Sequence, residues 1–118
     1  MRAWMIAAIL PLALCAPGLA FATNYAPLAC SKAKSPAELT ICRTYSLGQA
    51  EARMATLFGI ATSLVAMGQR CDIRDRQGEW IKSRDASGSD VACLANAYEA
   101  RIGELNKVIE DIASRGPY

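Results

Sequence analysis

Residues 77–105 read QGEWIKSRDASGSDVACLANAYEARIGEL, a pattern that predicts two antiparallel helices joined by a tight polar turn. At spacings i, i+3, i+4 and i+7, one face of the first helix carries Gln77, Trp80, Ile81 and Arg84. In the turn, residues 87–90, Gly88 supplies a positive φ, and Ser89 or Asp90 can cap the next helix. This hairpin is the element against which the rest of the chain is expected to pack.

The second helix of the hairpin carries a sustained apolar stripe. Steps of three and four residues connect Leu94, Tyr98, Ile102, Leu105, Ile109 and Ile112. Such a stripe packs against partner helices. Trp80 and Tyr98 are the large side chains that can anchor the hairpin, and each carries a polar atom that needs a partner when buried.

Two further helices are predicted ahead of the hairpin. In residues 35–38, Ser35 is placed as the N-cap, Pro36 at N1, and Glu38 at N3 to complete a capping box. Residues 46–67 carry the longest helical periodicity and Gly68 is their expected stop; the apolar positions are Leu47, Ala50, Met54, Leu57, Ala61 and Leu64. No alternating strand pattern is present, so the predicted fold is all-α, a small disulfide-stapled domain of three main helices plus a short N-terminal helix.

The first 22 residues are typical of a secretory signal peptide. A short basic start precedes the apolar residues 3–14, and residues 20–22 form an A-x-A cleavage pattern. The apolar run is shorter than the ~20 residues that a membrane-spanning helix needs. We therefore expect residues 1–22 to be removed and residues 23–118 to form one exported domain, periplasmic or secreted, with no stable membrane insertion.

The composition narrows the classes of function. The 118 residues include 13 Lys and Arg, 11 Asp and Glu, five Cys and no His. This near-neutral balance favours neither a nucleic acid nor an anionic membrane as partner. Without His or a CxxC pair we expect no metal site and no cofactor, and the absence of His also argues against an enzyme. After export four cysteines remain, and an even number in an oxidising compartment predicts disulfides.

An ordered set of residues spread over 28–106 resembles a known family. It consists of Cys30, the SPAE of residues 35–38, Ile41, Cys42, Leu47, Gln77, Trp80, Arg84, Asp85, Cys93, Leu94, Tyr98, Arg101, Ile102 and Leu105. Together these positions resemble the lysozyme inhibitor LprI-type domain of bacterial envelope proteins. The resemblance implies a small exported helical domain with disulfides. It also implies inhibition of lysozyme, an activity attached to few members of a large and mostly uncharacterised family.

The family pattern pairs the positions of Cys30 and Cys42. These two cysteines bracket the capped helix start, so the chain turns back at a fixed place between them. Closing such a loop stabilises a fold by about 3 kcal/mol in the chain-entropy model. We therefore expect a Cys30–Cys42 disulfide.

The pairing of Cys71 and Cys93 is less direct. Family members often carry a cysteine where Ser87 stands, bonded to the position of Cys93, and here Cys71 is the extra cysteine instead. A continuous helix over residues 72–85 would span ~20 Å, whereas a disulfide needs its Cα atoms within about 7 Å. The even number of cysteines favours a Cys71–Cys93 disulfide, whereas the length of a continuous helix between them argues against it. Only a bend, for example at Gly78, would join them, so we expect at least one to be free or bonded between chains.

The same residues suggest a division of roles. A structural motif that holds the hairpin together is predicted at Gln77, Trp80, Tyr98 and Arg101. The loop of residues 86–91 is predicted to bind a partner, with candidate residues Lys82, Arg84, Ser87, Ser89 and Asp90. A lysozyme cleft holds two catalytic carboxylates, which a loop with hydrogen-bond donors or a cation can block. The hypothesis is an exported lysozyme inhibitor with no catalytic residues; the alternative is a non-catalytic structural or interaction module that binds another envelope protein.

Overall fold

The computed structural model describes residues 28–115, which form four α-helices and, within that range, no strand. The helices are α1 (Pro36–Arg43), α2 (Tyr45–Ser63), α3 (Met67–Asp85) and α4 (Val91–Ala113), preceded by a 3-10 turn at Cys30–Lys32. The predicted all-α fold, with three long helices and a short first one, is confirmed. The predicted signal peptide lies outside the described residues. No helix within residues 28–115 is long and apolar enough to cross a membrane.

The core lies where α4 packs along α2, and α1 and α3 close the remaining sides. Its buried apolar residues are Ala37, Ile41, Leu47, Met54, Phe58, Ala61, Val65, Ile73, Leu94, Tyr98, Leu105 and Ile112. The predicted stripe on α4 therefore faces the core, with Ile102 and Ile109 partly buried at its edge. The short α1 contributes Ala37 and Ile41, both almost fully buried.

Ser35 caps α1 as predicted, because its Oγ accepts a hydrogen bond from the Glu38 backbone N–H at 3.1 Å. The reciprocal half of the capping box is displaced by one residue. The Glu38 carboxylate accepts from the Lys34 backbone N–H at 3.4 Å, not from that of Ser35. The helix start is fixed in the expected place, but the returning bond ties down the residue before the cap.

The boundary between α2 and α3 differs from the prediction. Helix α2 ends at Ser63, and α3 already begins at Met67, so Gly68 lies in the first turn of a helix and does not terminate one. Leu64, expected on the apolar face, is 53% exposed. The physical reason is the guanidinium group of Arg70, which donates to the carbonyl of Thr62 at 2.8 Å and to that of Val65 at 3.1 Å. A side chain thus satisfies carbonyl groups at the end of α2.

The predicted hairpin is formed by α3 and α4. Gly88 has a φ of 58° at the turn, and Asp90 caps α4 by accepting a hydrogen bond from the Cys93 backbone N–H at 3.1 Å. Helix α3 runs unbroken through Gly78, so the bend that would have brought Cys71 towards Cys93 is absent. The first arm of the hairpin is longer than predicted, and α4 is the longest helix within residues 28–115.

Candidate functional site

A buried polar cluster lies just below the turn between α3 and α4. The Tyr98 hydroxyl donates to the Glu51 carboxylate at 2.5 Å, and the Arg84 guanidinium lies 3.7 Å from the same carboxylate. The Leu28 backbone N–H donates to the other Glu51 oxygen at 3.1 Å. Glu51, Arg84 and Tyr98 are all buried. One carboxylate on α2 therefore joins α3, α4 and the segment before α1.

Arg84 is held on three sides. It hydrogen-bonds Asp85 through two nitrogens, at 2.9 and 3.0 Å, and its guanidinium carbon lies 5.5 Å from the centroid of the Trp80 ring. Burial by itself lowers the pKa of Arg84, but the hydrogen bond to Asp85 and the charges of Tyr98, Asp85 and Glu51 outweigh it, so the pKa is raised. Arg84 is only 4% exposed. This burial argues against the predicted partner-binding role of Arg84, because its charge is already paired inside the protein.

Trp80 and Tyr98 meet edge to face, with ring centroids 5.1 Å apart. The Trp80 indole N–H donates to the Ala97 carbonyl at 2.9 Å, which ties α3 directly to the α4 backbone. Burial, the hydrogen bond to Glu51 and the charge of Glu51 together raise the pKa of Tyr98 far above its ordinary value. The aromatic pair is therefore neutral and hydrogen-bonded, and it connects the two helices of the hairpin.

A second group of polar contacts joins α3 and α4 further from the turn. Arg101 donates to the Gln77 side-chain oxygen at 2.8 Å and to the Ile73 carbonyl at 3.3 Å, and it pairs with Glu104 at 3.0 Å. The Gln77 amide in turn approaches the Met54 sulfur at 3.2 Å. The four residues predicted as the structural motif, Gln77, Trp80, Tyr98 and Arg101, thus all bridge helices. Their contacts hold α3 and α4 in a fixed arrangement.

The predicted binding residues differ in their exposure to solvent. Lys82, Ser89 and Asp90 are exposed around the turn, Ser87 is half-buried, and Arg84 is buried as described above. Two large apolar side chains flank the turn, Ile81 at 37% exposure and Val91 at 45%. We define the hairpin tip as residues 86–90 together with the flanking side chains of Ile81, Lys82 and Val91. The tip combines hydrogen-bond donors, one cation and apolar surface.

The bonding of the cysteines agrees with the expected Cys30–Cys42 disulfide and with the helix length that separates Cys71 from Cys93. Cys30 and Cys42 are bonded, with their Cα atoms 5.7 Å apart. Cys93 is an exposed free thiol, so it is not joined to Cys71. The Cys93 sulfur instead contacts the Ser87 hydroxyl. Ser87 therefore occupies the place from which a cysteine could reach Cys93.

Sequence reasoning missed Glu51, the centre of the upper cluster. The signal was present, because Glu51 lies four residues after Leu47 and three before Met54, on the buried face of α2. A charged residue on an apolar face needs a partner of opposite charge or hydrogen bonds. Among the described residues no group of three or more Cys, Asp or Glu side chains could hold a metal ion.

Comparison of the chain with protein families, with curated proteins and with solved structures found no match. The case for a function therefore depends on the residues and their geometry.

Proposed function

We propose that this chain is an exported, non-catalytic protein that binds a peptidoglycan-degrading lysozyme and blocks its cleft with the tip of the α3–α4 hairpin. The observation that carries the proposal is a polar, exposed tip fixed on a rigid base. The Trp80–Ala97 hydrogen bond and the Arg84–Glu51 ion pair lie directly beneath it. A pre-organised loop loses little conformational entropy on binding.

The chemistry of the tip suits a cleft lined by carboxylates. The Ser89 hydroxyl and the Lys82 ammonium group are exposed donors, and a carboxylate accepts from both. Lys82 is already near Glu79 at 3.4 Å, but both side chains are more than three-quarters exposed, and such pairs contribute only about 0–1 kcal/mol. Ile81 and Val91 supply apolar contact beside these donors. The resemblance to LprI-type domains supports lysozyme as the partner.

A second candidate is a structural or interaction module of the bacterial envelope without lysozyme activity. The observation that favours it is that the family-like residues make their contacts inside the protein. Gln77, Trp80, Tyr98 and Arg101 face other helices, and their contacts explain the packing of the hairpin without an external partner. In this reading the resemblance reflects a shared scaffold.

A cell-wall lysis assay separates the two candidates. The purified exported chain, in molar excess over several classes of lysozyme, is expected to slow lysis of a peptidoglycan suspension by at least one of them. Lys82→Glu at the tip should weaken inhibition by about tenfold, or 1.4 kcal/mol, because the new carboxylate repels those of the cleft.

The matched control is Lys107→Glu, the same substitution on the exposed surface of α4 away from the tip. It should leave inhibition unchanged. Equal losses in both variants would contradict the assignment of the tip. No inhibition of any lysozyme by the parent chain would favour the structural module instead.

A further inference from the structure

A small cleft lies between α3 and α4, further from the turn than the Trp80–Tyr98 pair. Its volume is about 180 Å³, and the buried side chains of Ile73 and Leu105 form apolar parts of its wall. Sites for drug-sized ligands begin at about 300 Å³, so this cleft has room only for a molecule of few non-hydrogen atoms. The cleft shares no lining residue with the hairpin tip.

Two opposite charges on α3 line the cleft without pairing. Asp72 and Arg76 are both exposed, and among residues 28–115 neither side chain has an ion-pair or hydrogen-bond partner. They are one helical turn apart, a rise of about 6 Å, which is a spacing at which opposite charges can pair. Both groups are therefore available to a ligand in the cleft.

A buried guanidinium group adds fixed donors to the same cleft. Arg101 is 2% exposed and donates to the Ile73 carbonyl and to the side chains of Gln77 and Glu104. These contacts use three of the five N–H groups of the side chain and hold it at the wall of the cleft. Because Arg101 is already paired with Glu104, the uncompensated charges in the cleft are the two on α3. The cleft is therefore neutral as a whole, with one positive and one negative group to satisfy.

A ligand that carries both charges suits this cleft best. A lone carboxylate would pair with Arg76 but would be repelled by Asp72, and a lone amine would meet the reverse arrangement. A free α-amino acid carries a carboxylate and an ammonium group on one carbon atom. Guanidinium groups bind carboxylates through charge-assisted hydrogen bonds, and an apolar side chain on the ligand can contact Ile73 and Leu105.

We propose that the cleft between α3 and α4 binds a free α-amino acid with a small apolar side chain. Arg76 holds its carboxylate, Asp72 holds its ammonium group, and its side chain lies against Ile73 and Leu105. The site is separate from the hairpin tip and does not require that lysozyme be the partner.

The test is a titration of the isotope-labelled exported chain with L-valine at constant pH and ionic strength, followed by amide chemical shifts. We expect saturable shifts at Ile73 and Leu105. Three analogues each lack one recognised group: isovalerate lacks the ammonium group, isobutylamine lacks the carboxylate, and glycine lacks the side chain. The first two should bind about two- to fivefold more weakly, as for the loss of one exposed ion pair. Glycine should bind at least about fivefold more weakly, because it buries no apolar side chain.

Variants of the two α3 charges locate each half of the ligand. Asp72→Asn should abolish the preference for L-valine over isovalerate, and Arg76→Gln should abolish the preference for L-valine over isobutylamine. The matched controls are Asp75→Asn and Arg53→Gln, which change exposed residues outside the cleft. Both controls should keep both preferences.

Several outcomes would overturn the proposal. These are an absence of saturable shifts at the cleft, equal binding of all four compounds, and preferences that survive in Asp72→Asn and Arg76→Gln. A negative lysis assay would leave this proposal unaffected, because the titration involves no lysozyme. A failed titration would likewise leave the lysozyme proposal intact, because the cleft and the hairpin tip have no residue in common.

Discussion

Glu51 accepts hydrogen bonds from Tyr98 and from the Leu28 backbone, and it forms an ion pair with Arg84. A buried carboxylate is costly unless its charge is matched and its oxygens receive donors. Here both conditions are met by residues from different parts of the chain. The contribution of each donor to the free energy of unfolding is therefore best measured by removing that donor while Glu51 stays in place.

Tyr98→Phe removes only the hydroxyl that donates to Glu51. We expect the free energy of unfolding to fall by about 1.5–3 kcal/mol, the range for a hydrogen bond to a charged group. The matched control is Tyr45→Phe, where the lost hydroxyl is exposed. Chemical denaturation should show almost no change in the control, and equal losses in both variants would contradict the role given to the cluster.

Tyr98 also predicts how stability depends on pH. Its pKa is raised in the folded protein by burial and by Glu51, whereas in the unfolded chain it lies near 10, as in model peptides. The unfolded chain therefore loses this proton first as the pH rises. The stability from Tyr98 is fully present below about pH 10 and is lost above it, by up to about 1.4 kcal/mol per pH unit.

The measurement is the free energy of unfolding from pH 8 to 11.5 for the parent and for Tyr98→Phe. The variant should show a shallower alkaline decline, because the other titrating groups are common to both. Identical slopes would mean that Tyr98 ionises as readily in the folded protein as in the unfolded chain.

The hairpin is the element on which both the fold and the proposed function depend. Its turn was predictable from residues 87–90, because Gly88 and Asp90 each have one strong local role. The start of α3 was not, since it depends on Arg70 reaching the carbonyls of the preceding helix. Local pattern does not reveal such a tertiary cap, and for the same reason the periodicity of residues 46–67 ran past the true end of α2.

In the candidate site, too, some residues could be placed from local sequence pattern and others depend on contacts made only in the folded protein. Trp80 and Tyr98 were placed in the packing of the hairpin from their spacing alone, and they meet there. Arg84 shares a helix face with Gln77 and Trp80 and also flanks the polar loop, so the sequence allowed both a structural and a partner-binding role. Its burial depends on Glu51, which is distant in sequence, and only the fold brings the two charges together.

The contact between Ser87 and Cys93 leads to a prediction about the turn. In Ser87→Cys the new thiol should form a disulfide with Cys93 and close the tip. The chain-entropy model gives about 2 kcal/mol for so short a loop. Denaturation with and without reductant should show this gain only under oxidising conditions, and Ser87→Ala serves as the control. A free Cys93 thiol in the oxidised variant would show that the two side chains are not aligned for bonding.

At the scale of the whole molecule, the short helix α1 contacts each of the three long helices. Its eight residues are too few to be stable alone, because isolated helices shorter than about 12–15 residues are marginal in water. Two features hold it in place: the burial of Ala37 and Ile41, and the Cys30–Cys42 disulfide. The same disulfide also walls a groove between the start of α2 and the segment before α1.

The double variant Cys30→Ala/Cys42→Ala should lower the free energy of unfolding by about 3 kcal/mol in the chain-entropy model. Small domains are stable by only about 5–15 kcal/mol, so the melting temperature should fall by more than about 10 °C. Because α1 is part of the common core, we expect one cooperative transition in which helical circular dichroism and Trp80 fluorescence change together. Cys93→Ala, which removes only an exposed free thiol, should melt like the parent. Loss of circular dichroism well before the fluorescence change would instead mean that α1 detaches from a three-helix core that is stable without it.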